Sequence, residues 1–239
     1  MSNELLLIVS IVLIYGALVM WFYMFGKKGL ITFSVLSTIT ANIEVLILVK
    51  AFGLDQTLGN VMFASSFLAT DILSELYGKE EARKTVNIGI ATSITFILFT
   101  QFWFLYTPAS GDFVMEHLKV IFSTTPRMMT ASLLVFAIAQ KFDVWAYHKW
   151  WNFTTKLCGD KRKYLWVRNN GSTLISQLIN TILFTTFAFA GTYNVSTLIS
   201  IAVSSYIVFI FTSLADTPIV YLARFLYERK LIQGEKCRK

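Results

Sequence analysis

Residues Glu4 to Phe25 read ELLLIVSIVLIYGALVMWFYMF, an apolar run of more than twenty positions with one charge, at its first residue. Runs beyond roughly 18 residues are long enough to cross a bilayer as a helix. Gly26-Lys27-Lys28-Gly29 stops the run. No basic residue precedes it, and it is too long for the apolar core of an ordinary signal peptide. It reads as a retained first span.

The rest of the chain continues the pattern. Of 239 residues, 55% are hydrophobic and 15% charged, against roughly 25% charged in an average soluble domain. Further apolar runs occupy about Leu30–Phe52, Leu58–Leu76, Thr85–Tyr106, Arg127–His148, Val167–Ala190 and Ser196–Ala223. Together they predict an all-α polytopic membrane bundle of about seven spans in one domain, residues 1–239. An N-terminal span (4–25) precedes a core (30–223) and a basic tail (224–239). Between Thr107 and Pro126 the stretch FVMEHLKVIF has the character of a short amphipathic helix. Lys149 to Trp166 reads as a basic loop.

The net charge of +7 follows the membrane and does not form a nucleic-acid patch. With the N-terminus outside, the inner loops and tail carry 16 of the 21 basic residues. That bias alternates across all seven spans, which places the C-terminus in the cytoplasm. Cys158 and Cys237 both fall in inner basic segments without a CxxC pattern, as free thiols would. The lack of a cleavable presequence favours a prokaryotic inner membrane.

Polar residues inside the spans locate the candidate site, because a charge at bilayer depth costs roughly 2.5–3.5 kcal/mol on insertion scales. Asn42 and Glu44 fall roughly 18–21 Å from the inner end of the second span, at mid-bilayer or slightly outside it. Gln177 and Asn180 lie near mid-depth on the sixth. There Ser172, Ser176 and Asn180 recur every fourth residue, as do Thr173, Gln177 and Thr181, making one broad polar face. That face suits a substrate-lining surface or interhelical hydrogen bonding. Asp71 and Glu75 share a face on the third span. With Gln140, Asp143, Arg168 and Asp216 they lie toward the inner side. Two roles fit this second group, a structural ion-pair cluster or a gate and proton-coupling network. Pro218 removes a backbone hydrogen bond from the last span and predicts a kink.

Five ordered stretches resemble a known family. They are ANIEVLILVKAFG (Ala41–Gly53), ATDILSELYGKEEARK (Ala69–Lys84), TPRMMTASLLVFAIAQKFD (Thr125–Asp143), LWVRNNGSTLISQLINT (Leu165–Thr181) and ADTPIVYLA (Ala215–Ala223). The pattern is similar to that of the queuosine precursor transporters, a vitamin-uptake-like family. Against it, the first span stands as an addition to a six-span core, and Asn180 occupies a position where the family often has Asp. The resemblance implies import of a cyano- or aminomethyl-deazaguanine base, or queuine. A deazaguanine edge offers adjacent N–H donors that the Glu44 carboxylate could accept, with Asn42, Gln177 and Asn180 completing the site. Its flat face stacks on aromatic rings.

Other functions are distinguishable. A substrate-binding component of an energy-coupled vitamin transporter would need a separate ATPase, and no GxxxxGK[ST] motif occurs here. An enzyme is disfavoured by two isolated histidines, His117 and His148, and by the lack of HExxH or GxSxG. A non-transporting scaffold would need its polar spans to pack dry. The expected partners are a small-molecule substrate and membrane lipid, with no nucleic acid. A homodimer is compatible with the sequence and not demanded by it. No catalytic residue, metal or cofactor is assigned.

Overall fold

The structure is a computed structural model. It describes residues 2–123, 126–160, 163–189, 191 and 194–236, and the side chains of all of these except 54, 55, 123, 126–129, 235 and 236. Cys237 therefore lies outside the described residues, and Cys158 is an exposed free thiol.

The protein is a helical bundle. In chain order the long helices are α1 (Asn3–Phe25), α2 (Lys27–Glu44), α3 (Gly59–Tyr77), α4 (Lys79–Trp103), α6 (Pro126–Cys158), α7 (Leu165–Phe189) and α8 (Val195–Glu228). The shorter α5 (Val114–Ser123) and α9 (Gln233–Lys236) flank them. Among the described residues, α1, α4, α7 and α8 are long and apolar enough to cross a membrane. Surface and interior are inverted relative to a soluble protein. Val12, Leu98 and Phe211 are more than 60% exposed, whereas Asp71, Asp143, Arg168 and Asp216 are fully buried. Water would penalise such an apolar exterior and lipid does not.

α3 is the central helix and packs against α1, α2, α4, α6 and α8. Its sequence GNVMFASSFLATDILSELY is rich in small residues, and those from Gly59 to Ser74 are nearly all buried. Small side chains let neighbouring helices approach closely, which is how helices gain contact in lipid. On one side Tyr15, Leu18 and Phe22 of α1 interlock with Leu30 and Phe33 of α2 and Leu68, Ile72 and Leu73 of α3. Gly29 makes the α1–α2 crossing tight, since a Cβ there would lie 2.2 Å from the carbonyl oxygen of Trp21.

Three expectations about the elements are corrected. The second span does not run to Phe52. α2 stops at Glu44, and residues 48–57 form an antiparallel hairpin of β1 (Leu48–Ala51) and β2 (Leu54–Thr57), with Ala51 opposite Leu54. Leu48 and Val49 suit a strand, and Phe52 and Gly53, at φ 52° and 74°, make a two-residue turn with both φ positive. The N-terminus pins this hairpin through Asn3 Nδ2 to the Lys50 carbonyl (2.8 Å) and the Phe52 N–H to Glu4 Oε1 (3.0 Å). Second, α6 continues ten residues past His148 into the expected basic loop and ends at Cys158. Third, α8 runs five residues past Ala223 into the expected basic tail and ends at Glu228. Ile232 is buried, and Gln233 Nε2 donates to the Tyr23 hydroxyl of α1.

Candidate functional site

Where α2 ends and α3 begins, at the hairpin end of the bundle, lies a small cavity of about 40 Å³. That is room for a few waters and well below the roughly 300–1,000 Å³ of a small-molecule site, so a larger ligand enters only as the surrounding helices move apart. Its polar edge includes Asn42 of α2, Asn60 of α3, Ser93 of α4, Ser132 of α6 and Asn180 of α7. Its apolar walls include Phe63, Phe136, Phe184 and Phe209, one from each of α3, α6, α7 and α8. Phe63 is the hub, with ring centroids 6.0 Å from Phe136 and 6.3 Å from Phe209.

The polar groups differ in how far they are already satisfied. Asn42 Nδ2 donates to the Thr38 carbonyl (3.0 Å), and its Oδ1 accepts from Ser132 Oγ (2.8 Å). Asn42 is thus held in a fixed orientation. Asn60 Oδ1 accepts from Thr57 at the end of the hairpin (3.0 Å), while Asn60 Nδ2 and Ser93 Oγ are buried with no protein partner. Buried polar atoms without partners are rare in folded proteins and call for a water or a ligand.

Of the four residues the sequence suggested for substrate, Asn42 and Asn180 line this one cavity. Gln177 is buried one turn from Thr181 on α7, with both amide atoms unpaired, and is not among the lining residues. Glu44 also lies outside the lining, half-buried in the last turn of α2. Asn42 and Glu44 lie in the last turn of α2, at the hairpin end, and not within a helix that continues to Phe52. Asn60 and Ser132 went unnoticed as site residues. Nothing in their local sequence sets them apart from ordinary helix-packing polar residues.

The second group does not form one network. It separates into layers along α3 and α6. Gln140 bridges Ser66 Oγ (2.9 Å) and Thr70 Oγ1 (3.1 Å), and all three are buried. One turn on, Asp71 accepts from Thr173 Oγ1 (3.0 Å) and Asp143 from Ser176 Oγ (2.8 Å). Asp216 on α8 is buried nearby, beside the Tyr15 hydroxyl of α1. The last layer is Glu75, which accepts from Tyr147 (2.8 Å), from Arg168 Nε (2.9 Å) and Nη2 (2.6 Å), and from Arg224 (3.3 Å). The Arg168 guanidinium also lies over the Trp151 ring at 4.4 Å and donates to the Lys163 carbonyl. This layer closes the basic end of the bundle with charge-assisted and cation–π contacts.

Residues 57–223 match the family described as "Putative vitamin uptake transporter". The chain is also similar to a "Probable queuosine precursor transporter" of Bacillus subtilis (strain 168), with 39% identity over 213 residues, 89% of this chain and 91% of that protein. The chain belongs to the vitamin uptake transporter family. No solved structure matches it. In this uptake-transporter chain the match begins within the hairpin, at Thr57, and ends at Ala223, so α1 lies outside it while the cavity's Asn60, Ser93, Ser132 and Asn180 lie inside.

Proposed function

We propose that this protein imports a queuosine precursor, a 7-deazaguanine-type base, and receives it in the Asn42–Asn180 cavity. The observation that carries the reading is the cavity's chemistry, four phenylalanines around a polar edge with Asn60 Nδ2 and Ser93 Oγ unpaired. A flat purine-like ring stacks on such walls for roughly 1–3 kcal/mol per base. Asn60 is disposed to donate to the ring carbonyl, and the Asn180 side-chain carbonyl to accept from the ring N–H groups. Glu44, close by at the end of α2, serves as an acceptor at the mouth. Gln177 takes over polar contacts as the base moves along α7.

In this reading α1, α2, α3, α4, α6, α7 and α8 are seven spans of a multi-pass protein of a prokaryotic inner membrane. The hairpin end faces outside and the basic end faces the cytoplasm. The cavity then lies on the outer side and the Glu75–Arg168 layer closes the inner side, the arrangement of a carrier waiting for substrate. The relative's printed name and the loop charge bias support these assignments. Binding of cyano-substituted deazaguanine to the purified chain, with guanine and a vitamin such as thiamine as competitors, tests the substrate. Uptake into vesicles containing only this chain tests the stand-alone carrier. Equal displacement by thiamine would discard the deazaguanine assignment.

A further inference from the structure

Asp71 on α3 and Asp143 on α6 are fully buried and are held side by side from one face of α7, by Thr173 and Ser176, which are themselves one turn apart and hydrogen-bonded to each other. One oxygen of each is bound from α7, Oδ2 of Asp71 by Thr173 and Oδ1 of Asp143 by Ser176. The other two, Asp71 Oδ1 and Asp143 Oδ2, have no donor. Ionised carboxyl oxygens only accept, so two that meet in a dry interior require a proton between them. Among the described residues no ion pair to either carboxyl replaces it. The guanidinium of Arg168 is bound by Glu75 through both carboxyl oxygens. The titratable groups next to the pair are Asp216 of α8 and Tyr147 of α6, with Tyr15 of α1 beyond Asp216 and Glu75 of α3 beyond Tyr147, and none of these supplies a positive charge.

A polar file runs along α7 from this pair toward the cavity. Asn169, Thr173, Gln177 and Thr181 recur every fourth residue on α7 and are all buried. Thr173 bonds Asp71, whereas both amide atoms of Asn169 and of Gln177, and the hydroxyl of Thr181, have no protein partner. Unpaired atoms one turn on either side of the Asp71 contact suit a chain of waters or a passing ligand.

We propose that Asp71 and Asp143 share one exchangeable proton and that this proton travels with the substrate. The inference rests on the transporter reading. In the loaded state one carboxyl donates to the other and α3 and α6 stay together. Release of that proton to water leaves two carboxylates in contact, whose repulsion parts the two helices. The contact between Tyr147 and Glu75 lies one turn further along the same pair of helices, because Asp71 and Glu75, like Asp143 and Tyr147, are four residues apart. Deprotonation therefore acts next to the layer that closes the basic end, and it couples proton release to opening.

The test uses the purified full chain in proteoliposomes with the membrane potential clamped and neutral cyano-deazaguanine as the probe. With an inside-alkaline gradient of one pH unit, one proton per base allows accumulation of up to about ten-fold, abolished by a protonophore. Asp143→Asn is expected to lose the accumulation. Uptake that is the same with and without the gradient overturns the proton inference and leaves the transport reading intact. Absence of any binding or uptake overturns the transport reading instead. In that case infrared spectra of the substrate-free protein decide the shared proton. A carboxylic-acid band at neutral pH that disappears in Asp71→Asn/Asp143→Asn supports it, and no such band in the wild type removes it. The infrared readout needs only folded protein, shown by a monodisperse elution profile for both forms.

Discussion

Arg168 grips Glu75 with two hydrogen bonds, at 2.9 Å and 2.6 Å, and the two side chains are 0% and 3% exposed. α7 and α3 are thereby fastened at the basic end through a pair that water does not reach. Removing one member of a buried pair strands the other charge, at a cost of roughly 3–5 kcal/mol, while replacing both with apolar residues often costs little. Arg168→Met and Glu75→Leu are each expected to lower the melting temperature strongly, and the double variant to recover much of the loss. Arg168→Lys keeps the charge but not the planar fork or the stacking on Trp151, so its recovery is partial. Thermal unfolding in one detergent checks all four. Additive losses in the double variant would show that the pair is not coupled.

The cavity reading makes a separate prediction, on affinity. Asn42 is held by Thr38 and Ser132, so truncating it removes a preset polar edge without unpacking a core. Asn60→Ala removes the unpaired Nδ2. A hydrogen bond to a buried partner is worth about 0.5–1.5 kcal/mol net, so each change is expected to weaken deazaguanine binding roughly 3- to 10-fold. Phe63→Ala removes the hub of the ring cluster and weakens it further, by roughly 1–3 kcal/mol. Calorimetric titration gives each value, with melting temperature as the control on folding. Unchanged affinity in Asn42→Ala and Asn60→Ala would move the substrate out of this cavity.

These residues also mark how much the sequence could tell. The spans were legible because hydropathy is additive along the chain, and Asp71, Glu75, Asp143, Arg168 and Asp216 stood out because a charge in an apolar run is conspicuous. The pairings were not legible. Glu75 chooses Arg168, 93 positions away, and Asp71 chooses Thr173, and only helix packing brings them together. Tyr15 was hidden because a tyrosine in an apolar span resembles any other lipid-compatible residue, yet its buried hydroxyl donates to the Thr212 carbonyl of α8, one turn before Asp216. The hairpin was missed because LILVKAF is as apolar as a helix of the same length. Its turn is disclosed by backbone φ values and not by composition.

Gly29 offers a test of the packing at the N-terminal span. A methyl group there would meet the Trp21 carbonyl oxygen at 2.2 Å, an approach that backbone atoms on both sides cannot relieve by a rotamer change. Gly29→Ala therefore forces α1 and α2 apart and loosens Leu18 and Phe22 from α3. Overpacking of this kind costs roughly 1–3 kcal/mol. Gly16→Ala is the matched control, since no atom lies within 4 Å of the added group and the same helix gains propensity. A lower melting temperature in Gly29→Ala alone is the expected result. Equal behaviour of the two would mean that the helices cross elsewhere.

The orientation can be read from one thiol. Cys158 is exposed at the last residue of α6, at the basic end that also carries Lys27, Lys79 and Lys149. Short basic segments stay on the cytoplasmic side during insertion, so this end is expected to face inward. With Cys237 replaced by Ser, Cys158 is the remaining cysteine of the chain. A membrane-impermeant maleimide should then label inside-out vesicles and leave right-side-out vesicles unlabelled until they are permeabilised. A cysteine placed at Lys50, exposed on the hairpin at the opposite end, should give the reverse pattern. Labelling of both positions from the same side would contradict an odd number of spans between the hairpin and Cys158. It would also remove the basis for calling the Asn42–Asn180 cavity the outer one.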